Sequence, residues 1–167
     1  KKNHLISTNE GSAVAFAVGY YLAMKKICCV YMQNSGLGNA INPLSSIAHS
    51  KVYSIPMLLM IGWRGSPGYK DEPQHLVKGK ITKNLLRLLK IPFCVLREKK
   101  DFVKLGKLIK FSKVKKRPVA ILIEKNTLSS NNKNKKPTKK NKFMRSEVIE
   151  YLIKKVKRGT RIISTTG

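Results

Sequence analysis

Short apolar runs that alternate with longer stretches of helical spacing constrain this chain more than any other feature. The runs lie at 4–7, 28–32, 57–61, 93–96 and 119–123, and each gives way to glycine, proline, asparagine or charge. Runs such as CCVYM, MLLMI and VAILI are apolar at successive positions, so strands built from them would be buried on both faces, as in a parallel sheet. Between the runs the spacing predicts helices over 11–25, 38–49, 80–90 and 101–113, the third carrying Ile81, Leu85, Leu86, Leu88 and Leu89. Right-handed crossovers would place such helices on both sides of the strands. The expected fold is therefore α/β, a three-layer parallel sheet with helices on both faces.

After Glu124 this rhythm stops. Residues 125–143 are rich in Lys, Asn and Ser and read as a linker, and a new helix is expected over 146–157 on the stripe Val148, Ile149, Leu152, Ile153 and Val156. A strand-like RIIST follows. The division expected is a first domain over 1–124, a linker over 125–143 and the start of a second domain over 144–167, truncated at both ends because the chain opens on Lys and closes on Gly.

Composition narrows the class. With 167 residues, 42% of them hydrophobic, the chain can bury one real core. The longest apolar run, 13–24, is interrupted by Gly19 and too short to span a bilayer, so a cytoplasmic protein with no membrane partner is expected. Three cysteines, Cys28 and Cys29 adjacent within a strand-like run, form neither a disulfide framework nor a metal-ligand spacing. The net charge of +27 admits a basic nucleic-acid-binding module as an alternative from another class. Its densest run, NNKNKKPTKKNK, has no aromatic residue for stacking on bases, so no nucleic-acid partner is expected.

Three segments can carry chemistry. In STNEGSAVAFAVGYYLAM, Glu10 stands where a strand turns into a helix, and Ser7 with Glu10 also fits an S-x-x-E capping box. In MQNSGLGNAINPL, Gly36 and Gly38 clear side chains from a strand-to-helix turn, a pattern that lacks the third glycine of a dinucleotide fingerprint and the Lys-Ser/Thr of a P-loop. IGWRGSPGYKDEPQH reads as a long loop with Arg64, Gln74 and His75, although Trp63 could merely pack beneath it. All three leave the C-terminal ends of strands, the edge where open α/β sheets form ligand crevices.

Together NEGSAVAFAVGYYLA, YMQNSGLGNAINPLSSI and YSIPMLLMIGWRGSPGYKDEPQH with the following GKIT closely resemble the phosphonopyruvate decarboxylase family of thiamine-diphosphate enzymes. The resemblance implies that the first domain is a pyrimidine-binding domain of the thiamine-diphosphate fold and that RSEVIEYLIKKV and RIISTTG open a diphosphate-binding one. It further implies that Glu10 hydrogen-bonds a pyrimidine nitrogen of the cofactor and starts the reaction. Flanked by apolar helix, such a carboxyl would be desolvated and able to share a proton with a weakly basic ring nitrogen. By the same carry-over Gln33, Asn34, Ser35 and Gly36 lie beside the cofactor, and Gln74 and His75 reach toward substrate.

The activity implied is decarboxylation of 3-phosphonopyruvate to phosphonoacetaldehyde, in phosphonate biosynthesis, by an oligomer whose active site lies between subunits. A sulfopyruvate decarboxylase subunit is the nearest alternative. Arg64 is a candidate for the anionic tail of the substrate, because a phosphonate suits a bidentate cation. The Gly-Asp-Gly motif that holds Mg2+ and diphosphate in the family is absent from the sequence, so no metal ligand is assigned here and the piece alone is expected to be inactive.

Overall fold

A computed structural model describes residues 4–129, 143–155 and 162–165. Its strands are β1 (His4–Ser7), β2 (Cys28–Gln33), β3 (Met57–Gly62), β4 (Phe93–Leu96), β5 (Val119–Ile123), the two-residue β6 (Leu128–Ser129) and β7 (Phe143–Met144), and β8 (Ile162–Thr165). Its helices are α1 (Glu10–Met24), α2 (Leu37–Ser45), α3 (Pro73–Leu88), α4 (Asp101–Lys115) and α5 (Arg145–Lys155), with a 3-10 turn at Asn34–Gly36 ahead of α2. Six strands form one parallel sheet in the order β1-β8-β2-β3-β5-β4, and β6 pairs with β7.

The two-residue period of the strands divides the core between the two faces. Cys28, Val30, Met32, Met57, Leu59 and Ile61 point to one side, where they meet Ala13 and Ala17 of α1, Leu37 and Leu44 of α2 and Leu86 of α3. Cys29, Leu58, Met60 and Ile121 point to the other, against Leu105 and Ile109 of α4 and Val148 and Leu152 of α5. The three-layer parallel sheet expected from the alternation is what forms.

The three cysteines form no disulfide; Cys28 and Cys29 are buried, and burial, with Cys28 adding to it, pushes the Cys29 thiol up to about 12. It behaves as a small core residue. No helix among the described residues is long and apolar enough to cross a membrane.

Two expected element bounds are revised. Strands β2 and β3 each run one residue further, pairing Gln33 with Gly62 at the edge of the sheet. Helix α3 begins at Pro73 rather than at 80, since proline presets the backbone of a first helical turn and its missing N–H is no loss there. Gln74 and His75 therefore sit on a helix, not in a loop. The segment 144–167, expected to start a second domain, also contributes to this sheet in its described residues. In the structure β8 fills the gap between β1 and β2, pairing with both, and Val148 and Leu152 close the face beneath. The remainder of the expected linker, 130–142, lies outside the described residues.

Candidate functional site at the C-terminal edge of the sheet

Strand β1 delivers the chain to the N-terminus of α1. The Ser7 hydroxyl donates to the Asn9 carbonyl (3.0 Å), and the Asn9 side chain accepts from the Ser12 N–H (2.8 Å), capping the helix. Capping thus falls to Asn9 and not to a Ser7–Glu10 box. Glu10, the first helical residue, is left to project toward the neighbouring turn.

What it meets there is Gly36. A Cβ at position 36 would stand 2.1 Å from the Glu10 carboxyl carbon, so the absent side chain is the space the carboxylate occupies. Asn39, on the first turn of α2, donates through Nδ2 to Glu10 Oε2 at 3.0 Å. Among the described residues Oε1 accepts no hydrogen bond. The carboxylate is half-buried, less sealed than the apolar helix suggested.

The two helix starts are pressed together at Gly11, where a Cβ would lie 2.7 Å from the Asn39 carbonyl oxygen. Pro43 lies four residues beyond Asn39 inside α2 and has no N–H to give that carbonyl. The sequence reading missed Asn39. Its signal was present in the N-A-I-N-P spacing, but its meaning depends on α1 approaching from elsewhere in the chain.

The turn after β2 has two functions. Asn34, 4% exposed, donates to the Arg64 carbonyl and the Thr82 hydroxyl, both at 2.9 Å, and accepts from the Arg64 N–H at 2.9 Å. Its side chain is a bracket joining β2, the segment after β3 and α3, with no amide donor left for a ligand. Gln33 and Ser35 remain half-buried, the Ser35 hydroxyl donating to Gln33 Oε1 at 3.0 Å.

Arg64 does not stand free. Its Nε donates to both oxygens of Asp71 (3.1 and 2.9 Å) and its Nη2 to one (2.5 Å), while Asp71, with a side chain 2% exposed, also accepts from the N–H groups of Gly65 and Glu72. The hydrogen bonds from Arg64, and after them those from the Gly65 and Glu72 N–H groups, outweigh burial and hold the Asp71 carboxyl far below the usual carboxylate range.

Trp63 is buried and donates to the Gly79 carbonyl (2.9 Å), with the Lys83 ammonium over its ring. Gly65 and Gly79 abut so closely that a Cβ at 79 would overlap the Gly65 carbonyl. Gln74 is exposed. His75 is half-buried, and its Nδ1 is buried without a hydrogen-bond partner among the described residues.

Beyond Gln33 the strand ends enclose a cleft of about 190 Å³, lined by Tyr31, Gln33, Gly62, Trp63, Arg64, Ile123, Glu124, Lys125, Asn126 and Leu128. The 33–36 turn thus has Glu10 on one side and this cleft on the other. Among the described residues no group of three or more His, Cys, Asp or Glu gathers as a metal site.

The arrangement fits an aminopyrimidine. A helix-start carboxylate with one oxygen oriented by an amide and the other open can accept from, or share a proton with, a ring nitrogen laid over the glycine turn.

Comparison with known proteins agrees. The model of the thiamine pyrophosphate enzyme N-terminal TPP binding domain matches residues 1–85, about half of the chain. The phosphonopyruvate decarboxylase of Streptomyces viridochromogenes is 43% identical over 98 residues, which are 59% of this chain and 24% of that protein. That of Streptomyces hygroscopicus is 42% identical over the same length. The match therefore spans about a quarter of those proteins. The sulfopyruvate decarboxylase subunit alpha of Methanothermobacter thermautotrophicus is 34% identical over 122 residues, 72% of each chain. The chain belongs to the thiamine pyrophosphate enzyme family, through its N-terminal TPP binding domain.

Proposed function

We propose that the protein containing this chain decarboxylates 3-phosphonopyruvate to phosphonoacetaldehyde and carbon dioxide with thiamine diphosphate, and that Mg2+ and the diphosphate are held by a part that this sequence does not contain. The observation that carries the reading is the Glu10 carboxylate seated on Gly36 and oriented by Asn39, in a chain 43% identical to a phosphonopyruvate decarboxylase. In the reaction the bond between carboxylate and keto carbon breaks, its electron pair stays on the former keto carbon, and a proton takes the place of the carboxylate. Bound thiamine diphosphate supplies the sink for that electron pair.

The chain's own residues orient and move protons. Glu10 holds or shares a proton at the pyrimidine nitrogen, Asn39 fixes the rotation of its carboxylate, and Gly36 leaves the space in which that carboxylate sits. Gln33 and Ser35 border the same turn, and Asn34 keeps that turn tied to the Arg64 backbone. Gln74 and His75, on the first turn of α3, remain proposed contacts toward substrate.

Assembly into an oligomer with the site between subunits is part of the proposal. Phe16 of α1 and Ile47, Val52 and Tyr53, beyond the end of α2, are large apolar residues left 38–61% exposed. Turnover at saturating cofactor tests the reading: Glu10→Gln is expected to lose about a hundredfold or more in kcat. Wild-type turnover by that variant would refute the role.

A second reading, the alpha subunit of a sulfopyruvate decarboxylase, has its own support. The alignment spans 72% of such a subunit, and β8 fills the sheet between β1 and β2. Side-by-side assays of the two acids decide between them.

A further inference from the structure

We infer that Lys125 is the cation that receives an anionic group in the cleft at the ends of β2, β3 and β5, and that Arg64 serves instead to latch the loop beside it. The inference deepens the proposed function and rests on its reading of the substrate as a 2-oxo acid with a second anionic group, a phosphonate or a sulfonate.

Charge in and around the cleft is mostly cancelled in pairs. Arg64 is held by Asp71, and Arg97 forms a bidentate pair with Glu124 (3.0 and 2.9 Å) whose carboxylate side chain is 6% exposed. Lys125 is different. Its Nζ donates to the Lys70 carbonyl at 2.9 Å, and among the described residues it meets no carboxylate. A lysine ammonium has three donors, so charge and two N–H groups remain for a ligand.

Its backbone is fixed as well. The turn from Glu124 closes with the Thr127 N–H on the Glu124 carbonyl (3.3 Å), Asn126 takes the left-handed conformation (φ 61°), and the Thr127 hydroxyl reaches the Leu96 carbonyl (3.4 Å). Read from sequence, Lys125 opened a linker; in the structure it is the rim of the cleft.

Opposite it, Gln33 accepts from Ser35 through Oε1, which leaves its amide N–H groups without a protein acceptor among the described residues. Trp63, Ile123 and Leu128 supply apolar walls. The volume of about 190 Å³ equals roughly six waters at ~30 Å³ each, room for a tetrahedral anion with a short carbon chain. A neutral or singly charged 2-oxo acid would leave the Lys125 charge unmatched, so the cleft favours the doubly anionic substrate.

The test compares wild-type holoenzyme with Lys125→Gln, Lys125→Arg and Gly62→Ala. A Cβ at Gly62 meets nothing nearer than the Met32 carbonyl oxygen at 3.9 Å, so alanine narrows the cleft without strain. Two readouts are taken: the Kd of methylphosphonate by phosphorus NMR titration, and KM and kcat for phosphonopyruvate and sulfopyruvate. Lys125→Gln is expected to raise Kd and KM about tenfold or more with kcat nearly unchanged, Lys125→Arg to restore most of the loss, and Gly62→Ala to weaken both constants.

Wild-type Kd and KM in Lys125→Gln, or a loss confined to kcat, would overturn the inference. If the wild type turns over neither acid, the decarboxylase reading fails, while the methylphosphonate titration still decides whether Lys125 holds an anion. Should Lys125→Gln not fold, acetylation of Lys125 in the wild type is followed with and without methylphosphonate: protection supports the inference, and an unchanged rate overturns it.

Discussion

Glu10 and Gly36 occupy one another's space, and this makes the smallest substitution in the site informative. A methyl group at Gly36 would overlap the Glu10 carboxyl group at 2.1 Å, and only the flexible acid can yield. Gly36→Ala is therefore expected to fold near the wild-type urea midpoint yet lose about a hundredfold in kcat, the size of effect a misplaced catalytic group produces. Asn39 acts through Glu10. Losing one hydrogen bond to a charged group, Asn39→Ala is expected to cost roughly tenfold in kcat with a shifted pH profile, and Asn39→Asp more, since it sets two carboxylates face to face. The position of Glu10 was legible in sequence because a strand, a small-residue helix and a carboxylate at their junction are local. Asn39 was not, because its partner is 29 residues away and the contact exists only once α1 and α2 meet at Gly11.

At the scale of an element, the segment from Trp63 into α3 is held less by apolar burial than by backbone contact and one ion pair. Helix α3 buries Gly79, Thr82 and Leu86, and its first two turns, PQHLVKG, dock through Gly79 on Gly65. Sequence periodicity saw only the leucine-rich second half for this reason. The Arg64–Asp71 latch escaped it too, because pairing across a loop has no period. Asp71→Asn is expected to destabilise the fold by about 1–3 kcal/mol, discounted for the part-exposed Arg64, read as a lower urea midpoint. Because the folded pKa of Asp71 is depressed, its contribution is complete above the ordinary carboxylate value of about 4 and fades as pH falls below it. The wild-type advantage over Asp71→Asn should thus hold steady from pH 5 to 8 and shrink in stronger acid.

For the whole molecule, the alternation of apolar runs was enough to specify three layers, since a strand buried on both faces has few alternatives to a covered parallel sheet. Strand order was another matter. Pairing of β8 with β1 and β2 joins residues more than 130 positions apart, and nothing local in RIIST says which edge or gap it fills. Leu59 and Ile121, fully buried on opposite faces, should each cost about 2–5 kcal/mol when cut to alanine, which denaturant unfolding would show for both layers alike. The layers matter to the proposed function because they bring the starts of α1 and α2 to one edge, where Glu10 is proposed to meet a ring nitrogen. The most direct measurement of that claim is the exchange of the thiazolium proton for deuterium in the holoenzyme, followed by NMR after acid quench. Glu10→Gln should slow this exchange about a hundredfold or more while leaving thiamine diphosphate bound. Exchange at the wild-type rate in that variant, with cofactor occupancy intact, would contradict the account.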